Sequence, residues 1–187
     1  IERYGVWSTL LTILSWIVFF DLGIGNGLRN GVATALAENK LDDAANISAS
    51  GYTIIGVISA ILWIITFVSI KYVNWQVVFN SSAIPEMELR LAVQIAAFFV
   101  VLNLWVGLVS ALIGSVQKTA VIALQQMLVT IFVLLLVLLL IRIVQPALTY
   151  MAFGYGFAVF IVNITLSVWF FRVYPFLRPR LYINKKA

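Results

Sequence analysis

The chain of 187 residues contains five long stretches without Asp, Glu, Lys or Arg. They are residues 4–20, 44–70, 91–117, 119–141 and 143–171. A helix needs about 20 mostly apolar residues to cross the hydrocarbon core of a membrane, because each residue advances it by about 1.5 Å. Four stretches reach that length, and the first reaches it if its helix continues past Asp21. The pattern predicts an all-α fold, a polytopic transmembrane helix bundle. The predicted spans are residues 4–28, 44–70, 91–114, 119–141 and 147–171.

Composition excludes the main alternatives to a helical membrane protein. Hydrophobic residues make up 63% of the chain and charged residues 10%, whereas soluble domains contain about 45–50% and about 25%. Strands of an outer-membrane barrel alternate apolar and polar residues, but LVTIFVLLLVLLLI (128–141) shows no alternation. The sequence contains neither cysteine nor histidine, which are common metal ligands and acid–base groups. We therefore expect no metal, no cofactor and no enzymatic activity.

Lys and Arg residues predict the orientation of the spans. Five spans place the two ends of the chain on opposite sides, and one side then holds eight of the 12 basic residues. By the positive-inside rule, that side is cytoplasmic. It includes the polar joint 29–43, the turn 117–118 and the tail after Phe171. The net charge of +5 is thus interpreted as the cytoplasmic flank of membrane helices, and we expect no nucleic-acid partner.

Polar and small residues follow helical spacing in two of the predicted spans. In span 91–114 and the turn after it they recur at steps of four, three, four and three, at Asn103, Gly107, Ser110, Gly114 and Gln117. Span 44–70 has the same kind of spacing, at Tyr52, Gly56, Ser59, Trp63 and Thr66. Such spacing places each set on one helical face.

Two interpretations of these faces remain open. Small and polar residues can serve helix packing, since they let backbones approach and form hydrogen bonds between helices. Alternatively, the first, second, third and fifth spans line a water-accessible cavity while the fourth span contacts lipid. Asn103 and Asn163 lie near mid-membrane, where an unpaired amide costs several kcal/mol.

Two ionisable residues flank the glycine-rich end of the first span. Asp21 and Arg29 enclose the segment LGIGNGL, and ionisable residues at membrane positions are candidates for function. Asp21 also has a structural interpretation, as a helix-end residue paired with a base or with backbone. Arg29 is the better candidate for binding an anion, because a guanidinium offers five donors in a fork that matches phosphate oxygens. Alternatively, Arg29 is only a flanking charge that fixes orientation.

Three segments resemble one family of membrane transporters. They are YGVWSTLLTILSWIVFFDLGIGNGLRN (4–30), SALIGSVQKTAVIAL (110–124) and FFRVYPFLRPRLY (170–182). They resemble the second helix, the turn between the fourth and fifth helices, and the exit from the sixth helix of Wzx-type oligosaccharide flippases. That family belongs to the multidrug/oligosaccharidyl-lipid/polysaccharide exporter superfamily, whose members have two pseudo-symmetric lobes of six helices. The resemblance implies that this chain holds helices two to six of the N-terminal lobe. The start at Ile1 instead of Met also leads us to expect an internal fragment.

The resemblance implies that the protein flips an undecaprenyl-diphosphate-linked oligosaccharide across the bacterial inner membrane for polysaccharide or O-antigen biosynthesis. The implied partners are this lipid-linked oligosaccharide, membrane lipid and the rest of the transporter chain. Sugars need amide, hydroxyl and aromatic partners, and a diphosphate needs cations. The candidate substrate-binding residues are therefore Arg29, Asp21, Tyr52, Trp63, Gln94, Asn103 and Asn163.

Two alternatives lead to different expectations. A drug/cation antiporter of the same superfamily is expected to carry a carboxylate deep in its cavity, and only Asp21 is available for that role. A non-transporting membrane subunit is expected to use its polar faces only for contacts between proteins.

Overall fold

The computed structural model describes residues 2–19, 23–143 and 147–179, and all regular secondary structure within these ranges is helical. The helices are α1 (Glu2–Phe19), α2 (Ile24–Ala37), α3 (Leu41–Ser69), α4 (Trp75–Val78), α5 (Glu86–Val106), α6 (Val109–Ser115), α7 (Thr119–Ile143) and α8 (Leu148–Val173). A 3₁₀ turn, Pro175–Leu177, follows α8. Within the described ranges, four segments are long and apolar enough to cross a membrane, namely Leu41–Ser69, Glu86–Ser115, Thr119–Leu136 and Leu148–Val173. The chain is an all-α, multi-pass membrane protein, which confirms the predicted fold class.

The first predicted span, residues 4–28, is not one continuous helix. α1 ends at Phe19, and α2 begins at Ile24 after Gly23, whose φ of 74° is left-handed. Glycine adopts this conformation more readily than other residues, so it can separate two helices. α2 therefore occupies much of the region that was predicted as a polar joint. Its buried face follows helical spacing, at Leu28, Val32 and Ala35.

The third predicted span also contains an interruption, which separates α5 from α6. Here the Ser110 N–H donates to the Gly107 carbonyl at 3.0 Å, and the Ala111 N–H donates to the Leu108 carbonyl at 3.1 Å. These are bonds between residues three apart, as in a 3₁₀ turn, where an α-helix joins residues four apart. A Cβ at position 107 would meet the carbonyl oxygen of Asn103. The local backbone therefore requires glycine at this position.

Acidic residues mark the starts of α3 and α5. Asp42 and Asp43 lie in the first turn of α3, and Glu86 and Glu88 lie in the first turn of α5. Negative charge is favourable there because the helix dipole is positive at its N-terminus. α8 has no acidic residue in its own first turn. Instead, Glu88 Oε1 accepts a hydrogen bond of 3.0 Å from the Leu148 N–H, so α5 supplies a cap for α8.

Buried apolar residues form two clusters, one toward each end of the bundle. The cluster next to the cap of α8 contains Val6, Trp7, Leu10, Ile70, Ile84, Leu89, Ala92, Val93, Ala96, Ala97, Leu148 and Ala152. The other contains Leu28, Val32, Ala35, Ala44, Tyr52, Ile55, Leu108, Val109, Leu112, Ile113, Phe170 and Leu177. Asn103 lies between the two clusters along α5, and Asn163 lies between them along α8. The bundle therefore has an amide layer between two apolar layers.

Polar contacts fasten each end of the bundle. At the first end, Arg3 Nη2 lies 3.2 Å from Glu88 Oε2, so α1 is tied to α5. At the other end, the buried Ser48 Oγ donates to the Leu177 carbonyl at 2.8 Å, so the 3₁₀ turn after α8 is tied to α3. Both contacts join segments far apart in sequence, and they fix the helices around the space between them.

Candidate functional site

A cavity of about 680 Å³ lies inside the bundle. α5, α6 and α8 form most of its wall, and α2 adds Gly25, Asn26 and Arg29. α1 adds Trp7 and Leu11, and α3 and α7 add one residue each, Ile55 and Gln125. No Asp or Glu of the described residues lines it. Its polar side chains belong to Asn26, Arg29, Asn103, Ser110, Gln125, Tyr155 and Asn163, with Trp7 adding an indole.

Four polar side chains in the cavity wall form one continuous hydrogen-bonded chain. Ser110 Oγ donates to Gln125 Oε1 at 2.9 Å, and Gln125 Nε2 donates to Asn163 Oδ1. Asn163 Nδ2 then donates to Asn103 Oδ1 at 3.0 Å. This amide chain, defined as these four residues, joins α6, α7, α8 and α5 in turn. It satisfies polar groups that hydrocarbon could not satisfy.

The direction of the amide chain is fixed at one end by backbone. Asn103 Nδ2 donates to the carbonyls of Phe99 and Gly156, at 2.9 and 3.3 Å. Carbonyls only accept, so the nitrogen of this amide must face them and its oxygen must face Asn163. Asn163 must then turn its nitrogen toward Asn103 and its oxygen toward Gln125. Gln125 in turn must direct its nitrogen toward Asn163. An amide nitrogen carries two protons. The amide chain uses one from Gln125, so among the described residues the second N–H of this half-buried side chain has no acceptor.

Close helix packing supports the amide chain. A Cβ at Gly156 would overlap the side chain of Phe99, so α8 approaches α5 closely at this point. Asn163 Nδ2 would lie 3.7 Å from a Cβ at Gly107. The small residues therefore serve helix packing, and the same approach brings the amides to the cavity wall. The polar face of α5 and α6 therefore serves both helix packing and the lining of the cavity.

Arg29 lies on α2 where the cavity opens, since it both lines the cavity and is exposed. It packs over α6, where a Cβ at Gly114 would come within 3.0 Å of Arg29 Nε and 3.1 Å of Arg29 Cδ. Glycine at position 114 therefore leaves room for this side chain. Across residues 2–19, 23–143 and 147–179, no ion pair or hydrogen bond involves the guanidinium of Arg29. Within these ranges the charge of Arg29 has no partner, and it can bind an anion.

The structure brings together only some of the candidate residues. Arg29, Asn103 and Asn163 line the cavity. Tyr52 and Trp63 line a separate groove between α3 and α5. Gln94 is half-buried on α5 and lines neither of the two. Asp21 lies outside the described residues.

The polar stripe of α3 does not face the cavity, contrary to the expectation for span 44–70. Ile55 is the residue of α3 that faces it. Ile55 is 1% exposed within the apolar cluster of Leu108 and Leu112, so α3 turns its apolar side toward the bundle. The stripe with Tyr52 and Trp63 consequently faces the groove on another side of α3.

The sequence interpretation missed Gln125 as a cavity residue, because it placed the whole fourth span against lipid. α7 is indeed largely exposed, with 6% of its most apolar window buried. Gln125 is half-buried and bonds to Ser110 and Asn163, whereas the adjacent Gln126 is exposed. Neighbouring residues on a helix point about 100° apart. Two consecutive polar residues at the start of an apolar span were therefore a signal that one of them faces the bundle.

The sequence is similar to a protein from Salmonella typhimurium (strain LT2) named "Putative O-antigen transporter". The two are 36% identical over 76 residues, which cover 39% of this chain and 18% of the relative. The matched part of this chain thus spans less than a fifth of the relative's length. No family model matches the sequence. No solved structure matches it either.

Proposed function

We propose that the chain is part of a transporter that moves an undecaprenyl-diphosphate-linked oligosaccharide across the bacterial inner membrane, for polysaccharide or O-antigen synthesis. The observation that carries this proposal is the guanidinium of Arg29, which has no partner among the described residues and lies at the opening of a cavity whose deeper wall is the amide chain. The similarity to a protein named as an O-antigen transporter supports the same substrate class. We assign transport, and not catalysis, to this cavity.

The parts of the substrate match different parts of the cavity. The diphosphate binds the guanidinium of Arg29 through two parallel hydrogen bonds. The sugars bind the amide chain, with the spare N–H of Gln125 as a donor. Trp7 and Tyr155 pack edge to face with ring centroids 5.9 Å apart, and they offer apolar faces to the sugar rings. The lipid tail stays in the bilayer.

The size of the cavity limits how much of the substrate it holds. Its volume of about 680 Å³ lies within the range of about 300–1,000 Å³ that is usual for small-molecule pockets. This chain therefore encloses the diphosphate and the first sugars, while the remaining sugars extend beyond it. We propose that the rest of the transporter chain completes the binding site, with Arg29 on the cytoplasmic side where the substrate enters.

Neither alternative is favoured by the cavity. A drug/cation antiporter needs a carboxylate for its cation, but the described lining offers none and contains a free arginine. A non-transporting subunit needs no unpaired guanidinium at the opening of a cavity.

Export in cells that lack the transporter tests this proposal through Arg29. The complete transporter with Arg29→Ala should reach the membrane at a normal level but restore no export of polysaccharide. Arg29→Lys should restore part of the export, because it keeps the charge and loses the planar fork. Lys40→Ala is the matched control, because Lys40 is a basic residue that pairs with Glu38 at 2.7 Å and does not line the cavity. Full export by Arg29→Ala at normal protein level would refute the assignment.

A further inference from the structure

The turn that joins α6 to α7 ends in a half-buried lysine, Lys118, whose backbone is fixed by hydrogen bonds. The Gln117 N–H donates to the Gly114 carbonyl at 3.1 Å, and the Lys118 N–H donates to the Ile113 carbonyl at 3.2 Å. Gln117 has a left-handed φ of 60°. This nested pair of bonds is the Schellman motif, which satisfies the last carbonyls of a helix. Lys118 therefore leaves the end of α6 in a defined direction.

Two aromatic rings at the end of α8 position the ammonium group of Lys118. Its Nζ lies 5.5 Å from the ring centroids of both Trp169 and Tyr174. A cation within about 6 Å of an aromatic ring is attracted by the negative charge of the ring face. The rings hold the ammonium in place without supplying a counter-ion, so its full positive charge remains available to an anion.

A second cation lies beside the first. Arg172 follows Trp169 by three positions on α8, so the two side chains are neighbours on the helix surface. Among the residues that the structure describes, neither Arg172 nor the ammonium of Lys118 forms an ion pair. No Asp or Glu follows Glu88 in the sequence, so α6, α7 and α8 offer these two charges no carboxylate. We call Lys118, Trp169, Arg172 and Tyr174 the cationic patch.

The cationic patch lies where the apolar spans end. Lys118 stands between two of the segments that can cross a membrane, and Arg172 lies in the last turn of a third. Tryptophan and tyrosine are enriched at this depth, where the lipid headgroups begin. Val168, one turn before Arg172, is 48% exposed. The patch therefore adjoins an apolar surface of α8 that acyl chains can cover.

We propose that the cationic patch binds the phosphate of an anionic phospholipid such as phosphatidylglycerol. The ammonium of Lys118 and the guanidinium of Arg172 both bind phosphate oxygens, while the acyl chains lie along α8 beside Val168. A zwitterionic headgroup is less suitable, because the two cations repel its own ammonium group. Inorganic phosphate offers the same oxygens but no acyl chain. The patch shares no residue with the cavity, so it is a second site that does not depend on Arg29.

Binding of labelled lipids to the purified 187-residue chain in dodecyl maltoside micelles tests this proposal. The probe is phosphatidylglycerol with a dansyl label on one acyl chain, and energy transfer from the tryptophans reports its binding. The signal should saturate as lipid is added, because the patch is a single defined site next to Trp169. Phosphatidylcholine with the same label should bind at least about fivefold more weakly. Excess inorganic phosphate should not displace the labelled phosphatidylglycerol.

Matched variants show whether the two cations cause this preference. Lys118→Gln and Arg172→Gln should each weaken binding of phosphatidylglycerol about fivefold, as expected for one basic residue at a lipid surface. Lys118→Arg should bind like the wild type, because arginine keeps the charge and also stacks on aromatic faces. Lys40→Gln is the control, since it removes the same charge from a residue that pairs with Glu38 outside the patch. These variants keep all six tryptophans, so their signals are directly comparable.

Circular dichroism of each variant separates lost binding from lost structure. Arg172 is exposed, so Arg172→Gln tests the patch even if Lys118→Gln lowers the helical content. Equal binding of the two labelled lipids to the wild type would overturn the proposal, as would wild-type affinity in both glutamine variants. An equal loss with Lys40→Gln would assign the binding to overall charge. Displacement by inorganic phosphate would assign the patch to a soluble anion.

Discussion

Replacing Gln125 by leucine should destabilise the bundle, whereas the same change at Gln126 should not. Gln125 accepts a hydrogen bond from Ser110 Oγ at 2.9 Å and donates one to Asn163 Oδ1. Leucine at position 125 removes both bonds and leaves Asn163 Oδ1 without its donor. The adjacent Gln126 is exposed on α7, where leucine suits the lipid environment better than an amide does.

The expected loss follows from the value of hydrogen bonds between membrane helices. These contribute about 0.6 kcal/mol on average and about 1.7 kcal/mol at most, so two of them give a loss of about 1–3 kcal/mol for Gln125→Leu. Gln126→Leu should change the free energy of unfolding by less than about 0.5 kcal/mol. A double-mutant cycle between Gln125→Leu and Asn163→Leu should give a coupling energy of about 0.5–2 kcal/mol, since the two residues are in direct contact.

Unfolding of the purified chain in mixed micelles by increasing fractions of denaturing detergent measures these differences. Circular dichroism and tryptophan emission should report the same transition, because the free-energy comparison assumes two states. Equal destabilisation by Gln125→Leu and Gln126→Leu would refute the inference that α7 docks through Gln125. A coupling energy of zero between Gln125 and Asn163 would refute the direct bond.

Two further predictions concern the ends of the bundle. In a chain with one introduced cysteine, a membrane-impermeant thiol reagent should label position 82 in intact cells but not position 40, and labelling at position 40 would reverse the proposed orientation. Glu88→Gln should lower the free energy of unfolding by about 0–1 kcal/mol, because the ion pair with the exposed Arg3 is lost. The remaining side-chain oxygen of glutamine still accepts the hydrogen bond from the Leu148 N–H. Glu88→Ala should cost about 0.5–2 kcal/mol more, as the loss of a helix cap does, and equal costs for the two variants would argue against the cap.

The fold class follows from the sequence because runs without charge have few alternatives to membrane helices. Four of the predicted spans, which start at residues 44, 91, 119 and 147, overlap observed helices. These are, in order, α3, the pair α5 and α6, α7, and α8. The separation of α1 from α2 was harder to foresee. The glycines after Asp21 indicated a weak helix, but they did not identify Gly23 as the residue that adopts a left-handed conformation.

The binding residues were less predictable than the helices, for a geometric reason. Helical spacing shows which residues share a face, but not which neighbour that face meets. Asn103 and Tyr52 belonged to equally regular stripes, yet Asn103 lines the cavity and Tyr52 lines the groove. The difference arises from the rotation of α3, which the packing of Ile55 determines. The partner of Asn163 on α7 could be inferred only by recognising that Gln125 and Gln126 face different directions.

Transfer of a fluorescent prenyl-diphosphate disaccharide across proteoliposome membranes tests the central claim most directly. The complete transporter should move the probe, and Arg29→Ala should slow this movement at least about tenfold, as expected for the loss of a charge-assisted contact of about 1.5–3 kcal/mol. A probe with a neutral linkage in place of the diphosphate should move no faster with wild-type protein than with Arg29→Ala. Lys40→Ala should transfer the diphosphate probe at the wild-type rate. Transfer by Arg29→Ala at the wild-type rate would contradict the claim that this cavity binds the diphosphate through Arg29.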